Sequence, residues 1–145
     1  PDGVKVIEYN CRFGDPECQA VMPLLRGDLL QFCLNGAQGR FMPEFIQFSD
    51  GWSVCVVLAS AGYPEASHSG DLISGLDKVD DVRVYHAGTR LNGEGMYETN
   101  GGRVLAVVAQ GNTLDEARTK AHKQGEKIDF EGSQRRSDIG FSVFE

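Results

Sequence analysis

Glu8, Asn10 and Arg12 alternate along the segment Glu8-Tyr9-Asn10-Cys11-Arg12-Phe13-Gly14-Asp15-Pro16-Glu17. The apolar run before them, residues 4–7, predicts a short strand. Side chains alternate between the two faces of a strand, so Glu8 and Asn10 are expected on one face. Together they offer a carboxylate and a carboxamide oxygen. Mg²⁺ favours such hard oxygen donors and often takes only one or two from protein, drawing the rest from water and phosphate. Arg12 continues the alternation if the strand runs that far. Its planar donor fork suits a phosphate or a carboxylate. The three groups together fit a nucleotide-phosphate site. On spacing alone they also fit the solvent face of an ordinary exposed strand.

Further blocks follow in order: Cys55-Val56-Val57-Leu58-Ala59-Ser60, Gly62-Tyr63-Pro64, Ile73-Ser74-Gly75-Leu76, His86-Ala87-Gly88-Thr89, Gly101-Gly102-Arg103-Val104-Leu105 and Arg136-Ser137-Asp138-Ile139-Gly140. With the Glu8 to Glu17 string, they resemble the carboxy-terminal part of the glycinamide ribonucleotide synthetase family. These enzymes are also called phosphoribosylamine–glycine ligases and lie within the ATP-grasp superfamily. The resemblance covers nearly the whole chain. It is weakest at Glu65-Ala66-Ser67-His68-Ser69 and over residues 34–48.

The resemblance implies a reaction and a cast of residues. ATP phosphorylates the carboxylate of glycine, and the amine of 5-phosphoribosylamine attacks the glycyl phosphate to form an amide and release phosphate. A carboxylate must then approach a triphosphate, so cations have to offset the repulsion. Glu8 and Asn10 are implied ligands of Mg²⁺ or Mn²⁺. Arg12 is the implied catalytic residue, on the phosphoryl group in flight or on the glycine carboxylate. Asp15, Gly102 and Arg103 are implied substrate contacts. The intact enzyme would serve de novo purine synthesis in the cytoplasm. Residues 1–40 would end an ATP-grasp domain, and residues 41–145 would form the family's C-domain. The remaining partner is the upstream part of the same polypeptide, which would carry the adenine site and the phosphate-covering loop. The chain starts at Pro1 and enters a strand at once, which reads as a piece of a longer protein, inactive alone.

Some of these residues have plainer readings. Asp15 can cap a helix starting at Pro16-Glu17, since a carboxylate accepts from free first-turn amides and proline is tolerated there. Glu17 suits the helix dipole. Gly101-Gly102 can let backbone amides approach an anion, or can turn a hairpin that leaves Arg103 exposed. His86 is expected to be packed and hydrogen-bonded, with His68 and His122 on the surface. No Ser, Cys and His nucleophile arrangement is evident, and this chemistry needs none.

The elements that must position these groups read as α+β, with mainly antiparallel pairing and one long helix. The first helix should end where Pro23 interrupts it. Asp28 and Gln31 form a capping-box pattern opening a second, with an apolar stripe of Leu29, Leu30, Phe32, Cys33 and Leu34, ending at Asn35-Gly36. Residues 36–43 form a linker. Residues 45–48 and 52–59 flank Ser49-Asp50-Gly51 and predict a hairpin. Residues 52–59 are apolar on both faces, which predicts a central, covered strand. Strands follow at 82–87, 96–99 and 103–109. A second capping box, Thr113 with Glu116, opens a helix to about Ile128, packed through Leu114, Ala117, Ala121 and Ile128. An irregular end with one closing strand completes the chain.

Composition limits the alternatives. The 145 residues suffice for a real core, and 41% hydrophobic content fits a globular chain. A net charge of −7 disfavours nucleic-acid binding. No apolar stretch suggests a membrane span. Cys11, Cys18, Cys33 and Cys55 show no metal spacing and are expected as reduced thiols, Cys55 in the core. Two rivals remain: another ATP-grasp carboxylate–amine ligase or carboxylase, and a non-catalytic binding module on the same fold. A substrate panel separates the first. Glycine-rich ATP-grasp sequence upstream in the reading frame would argue against the second.

Overall fold

The computed structural model describes residues 3, 5–7, 9 and 11–141. Glu8 and Asn10 lie outside the described residues, as does Val4. Lys5, Val6 and Ile7 belong to no strand. Ile7 is 96% exposed, and an extended segment without a neighbouring strand has no ladder to satisfy its amides.

The architecture is α+β with every strand pair antiparallel. A short helix, α1 (Glu17–Val21), runs into a 3-10 turn, Met22–Leu24, where Pro23 ends the α-helical pattern. Strand β1 (Leu25–Gly27) pairs with β2 (Ile46–Phe48), and helix α2 (Leu29–Ala37) lies between them in sequence. Asp28 caps α2, accepting from the Gln31 amide at 2.8 Å. The Gln31 side chain does not close the box; it donates to Asn35 Oδ1 instead. The expected packing stripe of α2 is largely in solvent, with Leu30 80% and Leu34 48% exposed.

The predicted hairpin around Asp50-Gly51 is not formed. Strand β3 (Trp52–Ala59) leaves β2 and pairs instead with β8 (Arg103–Gly111) from Trp52↔Gly111 to Ala59↔Arg103. The longer apolar run of β8 buries far more surface than three-residue β2 can, and that decides the partner. Gly51 turns the chain at φ +108, close beneath the Gly111 carbonyl. The central strand is therefore β8, flanked by β3 and by β5 (Arg83–His86), and β3 is an edge strand. Residues 104–109 are buried throughout, as a strand covered on both faces must be.

A third sheet orders β4 (Ser69–Leu72), β7 (Tyr97–Asn100) and β6 (Thr89–Leu91). Helix α3 (Leu114–Gly125) packs on the β3–β8 face. Thr113 caps it, accepting from the Glu116 amide, while Glu116 reaches back to the Asn112 amide at 2.8 Å. Its small residues Ala117 and Ala121 are fully buried and meet Val54, Val56 and Ala109. Leu58, Val104, Leu105, Val107, Ile128 and Phe130 form the adjoining core. The closing strand is reduced, among the described residues, to a single bridge between Ala59 and Gln134. No helix among the described residues is long and apolar enough to cross a membrane.

Candidate functional site

Pleating sends Val54, Val56 and Leu58 towards α3 and turns Cys55, Val57 and Ala59 to the opposite face of β3. That second face is the floor of a cleft of about 480 Å³. Pro16 at the start of α1, Tyr63 and Pro64 from the loop after β3, Arg103 from the start of β8, and the tail residues Gln134, Arg135, Arg136 and Ile139 complete the lining. The site is an apolar trough with three guanidinium groups around it, the mixture expected of a small-molecule pocket.

Two devices shape the wall. Gly102 carries no side chain because the Tyr63 ring occupies its place: a Cβ there would lie 2.5 Å from Tyr63 Cδ2. Gln134 ties the tail to the same loop, its side-chain amide donating to the carbonyls of Ser60 and Tyr63 at 2.9 Å each. Backbone bonds between Ala59 and Gln134 in both directions fix the tail against the edge of β3.

The cations are held by carboxylates. Arg103 donates from Nη1 to the Asp15 carbonyl at 2.6 Å and pairs through Nη2 with the Asp15 carboxylate at 2.9 Å. Arg136 grips Asp138 with both Nε (2.8 Å) and Nη2 (2.5 Å). That hydrogen-bonded guanidinium holds the Asp138 carboxyl down to about 2 and raises the Arg136 pKa. Arg135 lies 3.7 Å from Glu126. Burial, aided by the negative charges of Asp15 and Glu17, pushes the Cys55 thiol up to about 11. Cys55 is therefore protonated at neutral pH and serves as apolar floor, not as a nucleophile.

Two of the sequence-predicted residues, Asp15 and Arg103, meet at the mouth of this cleft across 88 positions of sequence. Asp15 does not cap α1; Pro16 occupies that position without a side-chain bond, and Asp15 binds Arg103 and the Gln19 amide instead. A charged guanidinium is a stronger partner for a carboxylate than a neutral amide. Gly102 lies beneath Tyr63. Arg12 is exposed, lies outside the cleft lining, and donates to the neighbouring Phe13 carbonyl at 2.8 Å. Among the described residues no group of three or more His, Cys, Asp or Glu is placed to hold a metal.

Sequence reasoning missed Tyr63, Gln134 and Arg135 as site residues. Tyr63 and Arg136 each carried one signal, their places in the Gly62–Pro64 and Arg136–Gly140 blocks. It also missed a buried polar cluster: Asp71, with its side chain 7% exposed, accepts from Thr99 Oγ1 at 3.1 Å and lies 2.8 Å from His68 Nδ1. His86 is hydrogen-bonded as expected, to Thr89 at 3.0 Å, and rests on Tyr97, but it is exposed and not packed inside. His122 is half-buried and not simply on the surface, with Nε2 3.1 Å from the Ile139 carbonyl.

Comparison with known proteins supplies the family. Residues 53–142 match the family described as phosphoribosylglycinamide synthetase, C domain. The chain is 48% identical over 139 residues to a phosphoribosylamine–glycine ligase of Yersinia pestis, covering 94% of this chain and 32% of that protein. It is 49% identical over 142 residues to the Synechocystis ligase of the same name, covering 94% and 33%. The crystal structure of phosphoribosylamine–glycine ligase from Thermotoga maritima superposes with a TM-score of 0.78 at 38% identity, over 92% of this chain and 33% of that one. The chain thus spans about a third of the length of the relatives it matches. With that match covering β3 from its second residue, β8, α3 and all but one lining residue of the cleft, the chain belongs to the phosphoribosylglycinamide synthetase C-domain family.

Proposed function

We propose that this chain is the carboxy-terminal part of an ATP-dependent ligase that joins glycine to 5-phosphoribosylamine through a glycyl phosphate, in cytoplasmic purine synthesis. Residues 1–40 end the ATP-grasp domain and residues 41–145 form the C-domain. The family match over 53–142 falls within the second span. The exposed Leu30, Leu34 and Phe41 suit burial of the first span and its border against a further part of the polypeptide.

On this reading Arg103, set by Asp15, receives the phosphoribosyl phosphate, with the backbone at Gly102 beside it. Asp15 is the alternative contact for the substrate amine. Glu8 and Asn10 would hold Mg²⁺ or Mn²⁺, a hard-oxygen donor pair suited to either ion. The ion would offset charge between triphosphate and carboxylate when bound. Arg12 is free to turn towards the phosphoryl group or the glycine carboxylate, since its present bond is only to an adjacent carbonyl. The observation that carries the reading is the pairing of Asp15 with Arg103 at an arginine-rimmed cleft in a chain of this family. The test joins the upstream two-thirds of the Thermotoga ligase to this chain. The hybrid should form ADP only when glycine and phosphoribosylamine are both present, and this chain alone should form none. ADP formation indifferent to glycine would refute the reading.

A further inference from the structure

The cleft has an apolar interior that a sugar phosphate does not use. Val57 and Ala59 of the floor, with Pro16, Tyr63, Pro64 and Ile139, give it its apolar lining. A ribose phosphate carries oxygen on almost every carbon. Seated here, its hydroxyls would face hydrocarbon and lose hydrogen bonds to water without replacement, which is unfavourable. A flat heterocycle linked to a phosphate divides its chemistry as the cleft does. The ring covers apolar surface beside an aromatic wall, and the phosphate meets guanidinium groups. About 480 Å³ lies within the range of pockets that enclose ligands of this size.

The guanidiniums can take a phosphate without surrendering their present partners. Arg103 uses its two terminal nitrogens on Asp15, leaving Nε–H. Arg136 uses Nε and Nη2 on Asp138, leaving Nη1. Arg135 is held only by a 3.7 Å contact with Glu126. Tyr63 is 38% exposed and lines the cleft, while its ring lies over Gly102.

We propose that the cleft binds a purine nucleoside 5′-monophosphate, with the base against Tyr63 and the apolar floor and the phosphate on the arginines. The inference rests on the phosphoribosyl reading of the same arginines and extends it. A nucleotide of this kind would compete with the phosphoribosyl substrate, giving the ligase a product-like inhibitor. It would act at a cleft whose lining excludes Arg12, the residue proposed for the phosphoryl group or the glycine carboxylate.

The test is calorimetric titration of the 145-residue chain with AMP, ribose 5-phosphate, adenosine and inorganic phosphate. AMP should bind at least about tenfold more tightly than ribose 5-phosphate, a difference of about 1.4 kcal/mol. Tyr63→Ala should abolish that preference and Tyr63→Phe should retain it, each variant being checked for folding by circular dichroism. Equal binding of AMP and ribose 5-phosphate, unaffected at Tyr63, overturns the nucleotide proposal and leaves the phosphoribosyl reading standing. Binding of AMP that persists in Arg103→Gln, Arg136→Gln and Tyr63→Ala places it elsewhere and also overturns the proposal. If no ligand binds the folded chain, the cleft is not a nucleotide site; the hybrid ligase then tests the phosphoribosyl reading separately.

Discussion

Tyr63 lies against the backbone at residue 102 because glycine leaves that space open. A methyl group there must push the ring aside, and overpacking of this kind costs about 1–3 kcal/mol. Gly102→Ala should lower the thermal midpoint, and the Gly102→Ala, Tyr63→Ala double variant should recover part of the loss, since the clash needs both partners. The His68–Asp71 pair gives a pH signature. Its hydrogen bond to Asp71 raises the His68 pKa above the ordinary 6.5, with Asp71 charge and, more weakly, Glu131 adding to the effect. The same bond, with one from Thr99, lowers Asp71 below the ordinary 3.8. A raised imidazole contributes fully below pH 6.5 and fades as pH rises through its shifted value. A lowered carboxylate contributes above pH 3.8 and fades as pH falls through its shifted value. The pair therefore stabilises most between those limits, and thermal midpoints of His68→Ala should fall short of wild type chiefly in that window. An equal shortfall at every pH would rule out titration of the pair as the cause.

At the scale of elements, what was legible in sequence was local. The Thr113 capping box and the alanine stripe of α3 sit where spacing puts them, because both depend on residues within a turn of each other. Thr113→Ala should cost about 1 kcal/mol and Thr113→Ser much less, read as a shift in the denaturant midpoint at constant slope. What was not legible was pairing. The Asp50-Gly51 turn looks like a hairpin, but long-range burial sends β3 to β8, and no window around the turn contains that information. The same limit hid the site. Arg103 and Asp15 were each suggested by their blocks, yet their contact depends on how α1 lies against the β3–β8 sheet. Gln134 acts by supporting backbone, which leaves no chemical signature in a string of letters, and the Gly62-Tyr63-Pro64 block does not reveal that its ring lies over Gly102.

At the scale of the whole molecule, the sheet–helix core is closed while large apolar side chains stay exposed outside it. Val6, Ile7, Tyr9, Phe13, Leu30 and Phe41 are exposed in the first 41 residues, and Phe48, Leu72, Leu91 and Phe141 beyond them. Residues 53–142 hold the family match and both core clusters. The chain's length is about a third of its relatives'. In the proposed function, the Asp15-anchored Arg103 receives the phosphate of the amine substrate. The most direct measurement is steady-state kinetics of the hybrid ligase with Arg103→Gln. The account predicts a KM for phosphoribosylamine raised about tenfold or more, with the KM for glycine unchanged, as loss of one charge-assisted contact to that substrate requires. An unchanged KM for phosphoribosylamine, or an equal rise for both substrates, would contradict it.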